Sequence, residues 1–340
     1  MAGSQGQPGR GPGVRLSAAL AGLLLSGALH AAPAPVELQL LAEHPVEGLD
    51  GSNLSGLARC GDEWLAVSDR ADDRLYRLQA QVDSWQAVAE RFSAPDAPAS
   101  GLPWGLRMRS WTVNQLRGGS LDFEGISCDG AGNRYLLSET QAAVLQLGPS
   151  GNADWLTLPA GLVRQARASG MLLSFNALFE GIAIDAQGER LWLAAERERR
   201  GLLVLHKRNG GWHCTGGCVL LSEGGLQASL AQPDSGTQVP LDFADLHYFN
   251  DRLFSLERAG HRICRRNPSS GASEKCWSFA AAALSAPRRY ASPYGVAEAL
   301  WLDQDSAWVG LDNGGKARAD GESRPLLWHL KAPADGWSAP

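Results

Sequence analysis

Acidic side chains recur along this 340-residue chain at the two ends of one kind of apolar hairpin, and their spacing is its strongest chemical signal. At the head of five short apolar segments stand Ser55, Glu124, Glu180, Ala244 with Asp245 beside it, and Glu298. At the tail of the partner segments stand Asp69, Glu139, Glu196, Glu257 and Asp312. Carboxylates brought close together raise one another's pKa and repel unless a hard cation is shared among them. An all-oxygen donor set suits Ca²⁺, whereas Zn²⁺ would want His or Cys, which these positions lack. The expected metal-ligating set is Glu124, Glu180, Glu298, Asp245, Asp69, Glu139, Glu196, Glu257 and Asp312. Taken singly, each acid could instead accept backbone N–H groups or pair with an arginine, since Arg70, Arg197 and Arg258 directly follow Asp69, Glu196 and Glu257. These arginines, with His261 and Lys316, are also placed to meet phosphate oxygens, and Arg197 and Arg258 are the expected stabilisers of developing negative charge. Strand alternation could equally send them outward to water.

Other catalytic signatures are absent. There is neither a G-x-S-x-G elbow nor an H-E-x-x-H helix. The run Cys128 to Arg134 has a C-x5-R spacing, but it falls in a turn and lacks a preceding His. His247 and His261 are the histidines nearest the acids, and a surface or packing role is expected for each.

The elements that must carry the acids are hairpins. In Leu121 to Glu139, LDFEGISCDGAGNRYLLSE, strand formers flank the turn residues Asp129 to Asn133, so Glu124 and Glu139 fall at one edge. Further copies are Leu54 to Arg70, Leu178 to Arg197, Leu241 to Arg258 and Tyr294 to Asn313, each continued by a third strand. Copy-to-copy steps fit four strands plus loops, which is the signature of an all-β, β-propeller fold of four-stranded blades. Five blades are visible, and a sixth could hide in the first interval. After the fifth copy there is room for only a third strand, so the N-terminal segment Val36 to Leu41 is expected to supply the fourth and close the ring. The inter-blade segments Gly161 to Asn176, Glu223 to Val239 and Ser278 to Pro293 should emerge on the acid-bearing face as walls or lids.

Composition agrees with this reading. Forty Gly and 18 Pro favour short strands, and a net charge of −5 argues against a nucleic-acid partner while suiting a cation site. Arg15 to Ala32 has the basic flank, short apolar run and small residues of a secretory signal peptide. The expected organisation is a signal peptide over residues 1–32, then one propeller domain over 33–340, periplasmic or secreted, monomeric and without a membrane anchor. Six cysteines agree with an oxidising compartment. Cys264 and Cys276 flank a turn signal, Cys214 and Cys218 could close a tight loop, and Cys60 and Cys128 remain as a third pair. About fifteen connectivities are open to six cysteines.

Four stretches, LSGLARCGDEWLAVSDR (54–70), Leu121 to Glu139, LFSLER (253–258) and Ala297 to Asn313, resemble, in that order, the phytase-like family of secreted bacterial proteins, "esterase-like activity of phytase". The resemblance implies a β-propeller, Ca²⁺, and hydrolysis of a phosphoester or carboxyester of a small-molecule substrate. Ser55 and Ala244 replace acids of the pattern, so these two positions supply no carboxylate, and Ala299 replaces its glycine. Lactonase-type propellers share the E-G-I hairpin. A non-catalytic periplasmic binding or scaffold propeller with a structural cation is the alternative.

Overall fold

The computed structural model describes residues 3, 35–109 and 120–339. Apart from Gly3, the expected signal peptide lies outside the described residues, as does the connection at Trp111 to Val113. Among the described residues no helix is long and apolar enough to cross a membrane.

Alternation of side chains along short strands, punctuated by turn residues, produces up-and-down antiparallel sheets. The two N-terminal strands are β1 (Val36–Glu37) and β2 (Leu40–Glu47). The first blade follows as β3 (Gly56–Cys60), β4 (Glu63–Val67), β5 (Arg74–Ala80) and β6 (Trp85–Arg91). The second is β7 (Phe123–Cys128), β8 (Arg134–Ser138), β9 (Ala143–Leu147) and β10 (Ala153–Trp155). In the third, β11 (Phe179–Ile184), β12 (Arg190–Ala195) and the long β13 (Arg199–Arg208) are followed by β14 (Gly211–His213) and β15 (Val219–Gly224). Both of these last strands pair with β13, so two pieces share the outer place. A hairpin of β16 (Leu226–Ala228) and β17 (Gln238–Pro240) leads to the fourth blade, β18 (Asp245–Phe249), β19 (Arg252–Glu257), β20 (Arg262–Arg266) and β21 (Ser273–Ser278). Between β18 and β19, Asn250 and Asp251 both have positive φ, as a two-residue type I′ turn requires. The fifth blade is β22 (Ala297–Leu302), β23 (Ser306–Leu311) and β24 (Leu326–Lys331).

The innermost strands touch in the cyclic order β3, β7, β11, β18, β22 and back to β3. The ring is thus a five-bladed β-propeller, and the described residues contain no sixth blade. The E-G pattern has a packing reason. A Cβ on Gly125 would lie 2.9 Å from the Glu180 carbonyl oxygen, and one on Gly181 would lie 2.9 Å from the Cα of Asp245. Neighbouring inner strands approach too closely there for a side chain.

Five apolar clusters fill the five joints between blades. On β4, Leu65 and Val67 join the cluster shared with the second blade, while Ala66 turns to the one shared with the fifth. Each strand therefore feeds two joints through its two faces.

The N-terminal strand closes the ring, with a difference in extent from the Val36 to Leu41 expected. Leu40–Glu47 supplies the fifth blade's outer strand, pairing antiparallel with β24, and its end runs parallel to β6 through Val46 and Glu47. Val36–Glu37 pairs with β21 of the fourth blade instead. The second blade's fourth strand is a short one, Ala153–Trp155. Disulfides join Cys60 to Cys128, Cys214 to Cys218 and Cys264 to Cys276. The first ties together the inner hairpins of neighbouring blades. Three such bridges fit a chain that folds in an oxidising compartment.

Candidate functional site

One mouth of the ring gathers the acids, because the head of each inner strand and the tail of its hairpin partner lie at the same end. Register sets the equivalence. Gly56 faces Val67, Gly125 faces Leu137, Gly181 faces Ala194, Asp245 faces Leu256 and Ala299 faces Gly310. Two residues beyond those partners stand Asp69, Glu139, Glu196, Arg258 and Asp312. The fourth blade thus places Arg258, not Glu257, at the ring position.

Glu257 lies one residue earlier, on the neighbouring face, and serves another purpose. It is 1% exposed and bonded to Arg200, Arg262 and Arg266. Burial pushes its carboxyl up, but these three guanidinium groups override that and bring it down to about 2. Asp245 is occupied as well. Its oxygens accept the backbone N–H groups of Leu246 and Leu300, both at 2.7 Å, and it also accepts from Ile182. Standing where other blades have Gly or Ala, it stitches three inner strands together.

The remaining expected ligands do come together, joined by two aspartates that sequence reasoning missed. Asp69, Asp122 and Glu124 can bring one oxygen each within 4.8 Å of one another. Asp69 also accepts from Asn53 at 2.7 Å and pairs with Arg70 at 3.3 Å. Asp242 receives the Ala259 N–H and lies 3.3 Å from Arg258 Nε. The missed pair had a signal, since Leu121-Asp122-Phe123 and Leu241-Asp242-Phe243 are the same tripeptide at the same point of two copies.

Electrostatically the mouth is overloaded with negative charge. Asp69, Asp122, Glu124, Glu139, Glu180, Glu196, Asp242, Glu298 and Asp312 face Arg70, Arg197 and Arg258. Glu124 and Glu180 form no hydrogen bond or ion pair among the described residues, and burial followed by like-charge repulsion holds both well above the ordinary carboxylate range. Glu139 is raised for the same reasons although it accepts the Leu178 N–H at 3.2 Å. Burial lifts Asp242 to about 6, and burial with the Glu298 charge lifts Asp312 to about 7. Glu196 is fully buried; its Oε1 meets Arg197 and Arg258, but Oε2 has no hydrogen-bond partner. Glu196 and Glu124 are the charges that most raise Glu180, which places this orphaned oxygen among the axial acids. An acidic cluster with unmet acceptors of this kind is suited to a hard cation.

Of the three expected loops, two reach the walls of two depressions at the mouth, Gly161 to Asn176 through Asn176 and Ser278 to Pro293 through Tyr290 and Ser292, whereas no residue of Glu223 to Val239 lines either. Asn176, Arg197, Glu198, Pro240, Arg258 and Tyr294 line one depression, and Asp69, Arg70, Tyr290, Glu298, Asp312 and Lys316 line another. Ser292 and Gly295 lie in both. Of the two expected charge stabilisers, Arg197 keeps a 27% exposed side chain with one acidic partner, while Arg258 is gripped by Glu196, Asp242 and Glu298. His261 is buried behind the mouth against Phe279, and His247 packs against Trp301.

Among solved structures, the chain is similar to a glutaminyl cyclase from Myxococcus xanthus at 14% identity and a TM-score of 0.47, over 87% of this chain and 97% of that one. It is similar to a PQQ-bound aldose sugar dehydrogenase from Streptomyces coelicolor at 12% identity and a TM-score of 0.44, over 88% and 99%. A virginiamycin B lyase from Staphylococcus aureus follows at 10% and 0.40, over 87% and 100%. No curated protein sequence matches the chain. Residues 50–204 match the family described as "Phytase-like: Esterase-like activity of phytase". That stretch runs from the first blade into the third, and over it the chain is similar to the phytase-like family.

Proposed function

We propose that the protein is an exported, Ca²⁺-dependent hydrolase of phosphoester or carboxyester substrates, working at the acidic mouth of the ring. The observation that carries this reading is the excess of carboxylates there, with Glu124 and Glu180 unpaired and Glu196 Oε2 unmet. Glu124, Glu180 and Glu298 would hold the cation, assisted by Asp69, Asp122, Glu139, Glu196 and Asp312. Bound there, Ca²⁺ would supply Lewis acidity toward a phosphoryl or acyl oxygen and a lowered pKa for water. The chain's own residues do the rest. Arg197 and Lys316, which line the two depressions, attract and orient an anionic group, while Tyr290, Ser292 and Tyr294 narrow its approach.

A second reading keeps the cation and drops the turnover. Mouth acids bridge neighbouring blades, as Glu139 does to Leu178 and Glu196 to Arg258, so a shared ion would also brace the ring. The two readings part on one assay of the mature protein with a chromogenic phosphomonoester, a carboxyester and a lactone, each with Ca²⁺ and with chelator. Turnover abolished by chelator is expected on an ester; no turnover on any of the three leaves the structural role. Replacing Glu180 with Gln should lower both bound metal and the Ca²⁺-dependent rise in melting temperature. Unchanged values for both would remove the cation from either reading.

A further inference from the structure

The mouth contains two corners of the same design. At one, Asp69 of the first blade stands beside Asp122 of the second, together with Glu124. At the other, Glu196 of the third blade stands beside Asp242 of the fourth, on the one guanidinium that both share. Asp122 and Asp242 are the central residues of identical Leu-Asp-Phe tripeptides, and Asp69 and Glu196 occupy equivalent places in register. The corners differ in what the later blade sends back from its second strand. The second blade sends Glu139, the fourth Arg258.

Arg258 fills its corner. Its Nε faces Asp242, its Nη2 faces Glu196, and its Nη1 reaches Glu298 of the fifth blade, with a side chain only 10% exposed. The planar guanidinium fork offers one direction to each carboxylate, which a lysine ammonium on a flexible stem would not reproduce. Three carboxylates converging from three blades on one positive charge is an arrangement a divalent cation would also satisfy.

We propose that Arg258 is a resident counter-ion of the propeller: it permanently holds one oxygen each of Glu196, Asp242 and Glu298, and so confines exchangeable metal to the side of the ring that carries Glu124 and Glu180, where Glu196 and Glu298 can offer only their second oxygens. The inference rests on the cation-binding reading above and adds to it a division of the ring into a wired half and an exchangeable half. One result is that Arg258 neutralises the protein's own acids, leaving Arg197 to meet substrate. Another is that chelation cannot strip the whole mouth of positive charge.

The test is metal stoichiometry, measured by equilibrium dialysis with Ca²⁺ and by elemental analysis of protein with a native circular dichroism spectrum. Arg258→Met should bind one ion more than the wild type, and Arg258→Lys, which keeps a charge, should bind the wild-type number. Glu180→Gln should lose an ion in the wild-type background, and adding Arg258→Met to it should restore one. Arg258→Gln gives a second, polar variant to be scored by the same criterion if the Met side chain prevents folding. Wild-type stoichiometry in folded Arg258→Met and Arg258→Gln overturns the proposal. A wild type that binds no ion defeats the cation reading of the mouth, and the Arg258 assignment is then still decided by whether its replacement creates a site.

Discussion

Two adjacent residues, Glu257 and Arg258, show how a one-residue step along a strand separates charge buried in a joint from charge at the mouth. Glu257 turns into the joint between the third and fourth blades and binds three arginines, while Arg258 turns to the mouth and binds three acids. Because the folded state depresses the Glu257 pKa from 4.5 to about 2, its contribution is fully present above about pH 4.5 and is lost as pH falls through about 2. By linkage that contribution is about 3 kcal/mol. Glu257→Gln should therefore cost a few kcal/mol at pH 7 and little near pH 2, read as the change in urea midpoint at each pH. The separation of these two residues was within reach of the sequence. Asp69 lies thirteen residues past Gly56 and Asp312 thirteen past Ala299; the residue thirteen past Asp245 is Arg258. Matching acid to acid hid that offset, because the second and third hairpins have longer turns and the acid beside Arg258 looked like the missing member of the set.

At the scale of elements, the hairpins were legible because alternation and turn chemistry are local, whereas outer strands were read less well because tertiary pairing decides them. The third blade shows why. Its outer place is filled by Gly211–His213 and Val219–Gly224 in series, held by the Cys214–Cys218 bridge across the intervening turn, and neither piece has a pattern of its own. The bridges differ in what they constrain. Cys60 and Cys128 are separated by 68 residues and tie the first blade to the second, whereas Cys214 and Cys218 are separated by four. Loop-closure entropy then assigns about 4 kcal/mol to the first bridge and about 2 kcal/mol to the second. Replacing Cys60 and Cys128 by Ser should lower the melting temperature more than replacing Cys214 and Cys218. The reverse order would mean that the blades dock before, and independently of, the covalent tie.

For the whole molecule, the decisive feature is that both ends of the ring meet in one strand. Leu40–Glu47 is registered along β24 on one side and runs parallel to β6 at Val46 and Glu47 on the other, so the first and fifth blades form one continuous eight-stranded sheet. The strand is fixed by more than its ladder. Val46 is 1% exposed within the joint between these blades, Glu43 pairs with Arg288 and Arg318, and Glu47 pairs with Arg324. Removing it would expose the edges of β24 and β6 together and open an apolar joint to water, which are the conditions for edge-to-edge association. The mouth would be affected as well, because Asp69 and Asp312 sit on blades that the strand holds together. A chain shortened to begin at Gly48 should therefore associate on size-exclusion chromatography, melt without a single cooperative transition, and bind Ca²⁺ more weakly than the chain beginning at Pro35. A shortened chain that stays monomeric, melts in one step and keeps its metal would show that the inner strands alone hold the ring, and that the acids at its mouth need no closing strand to converge.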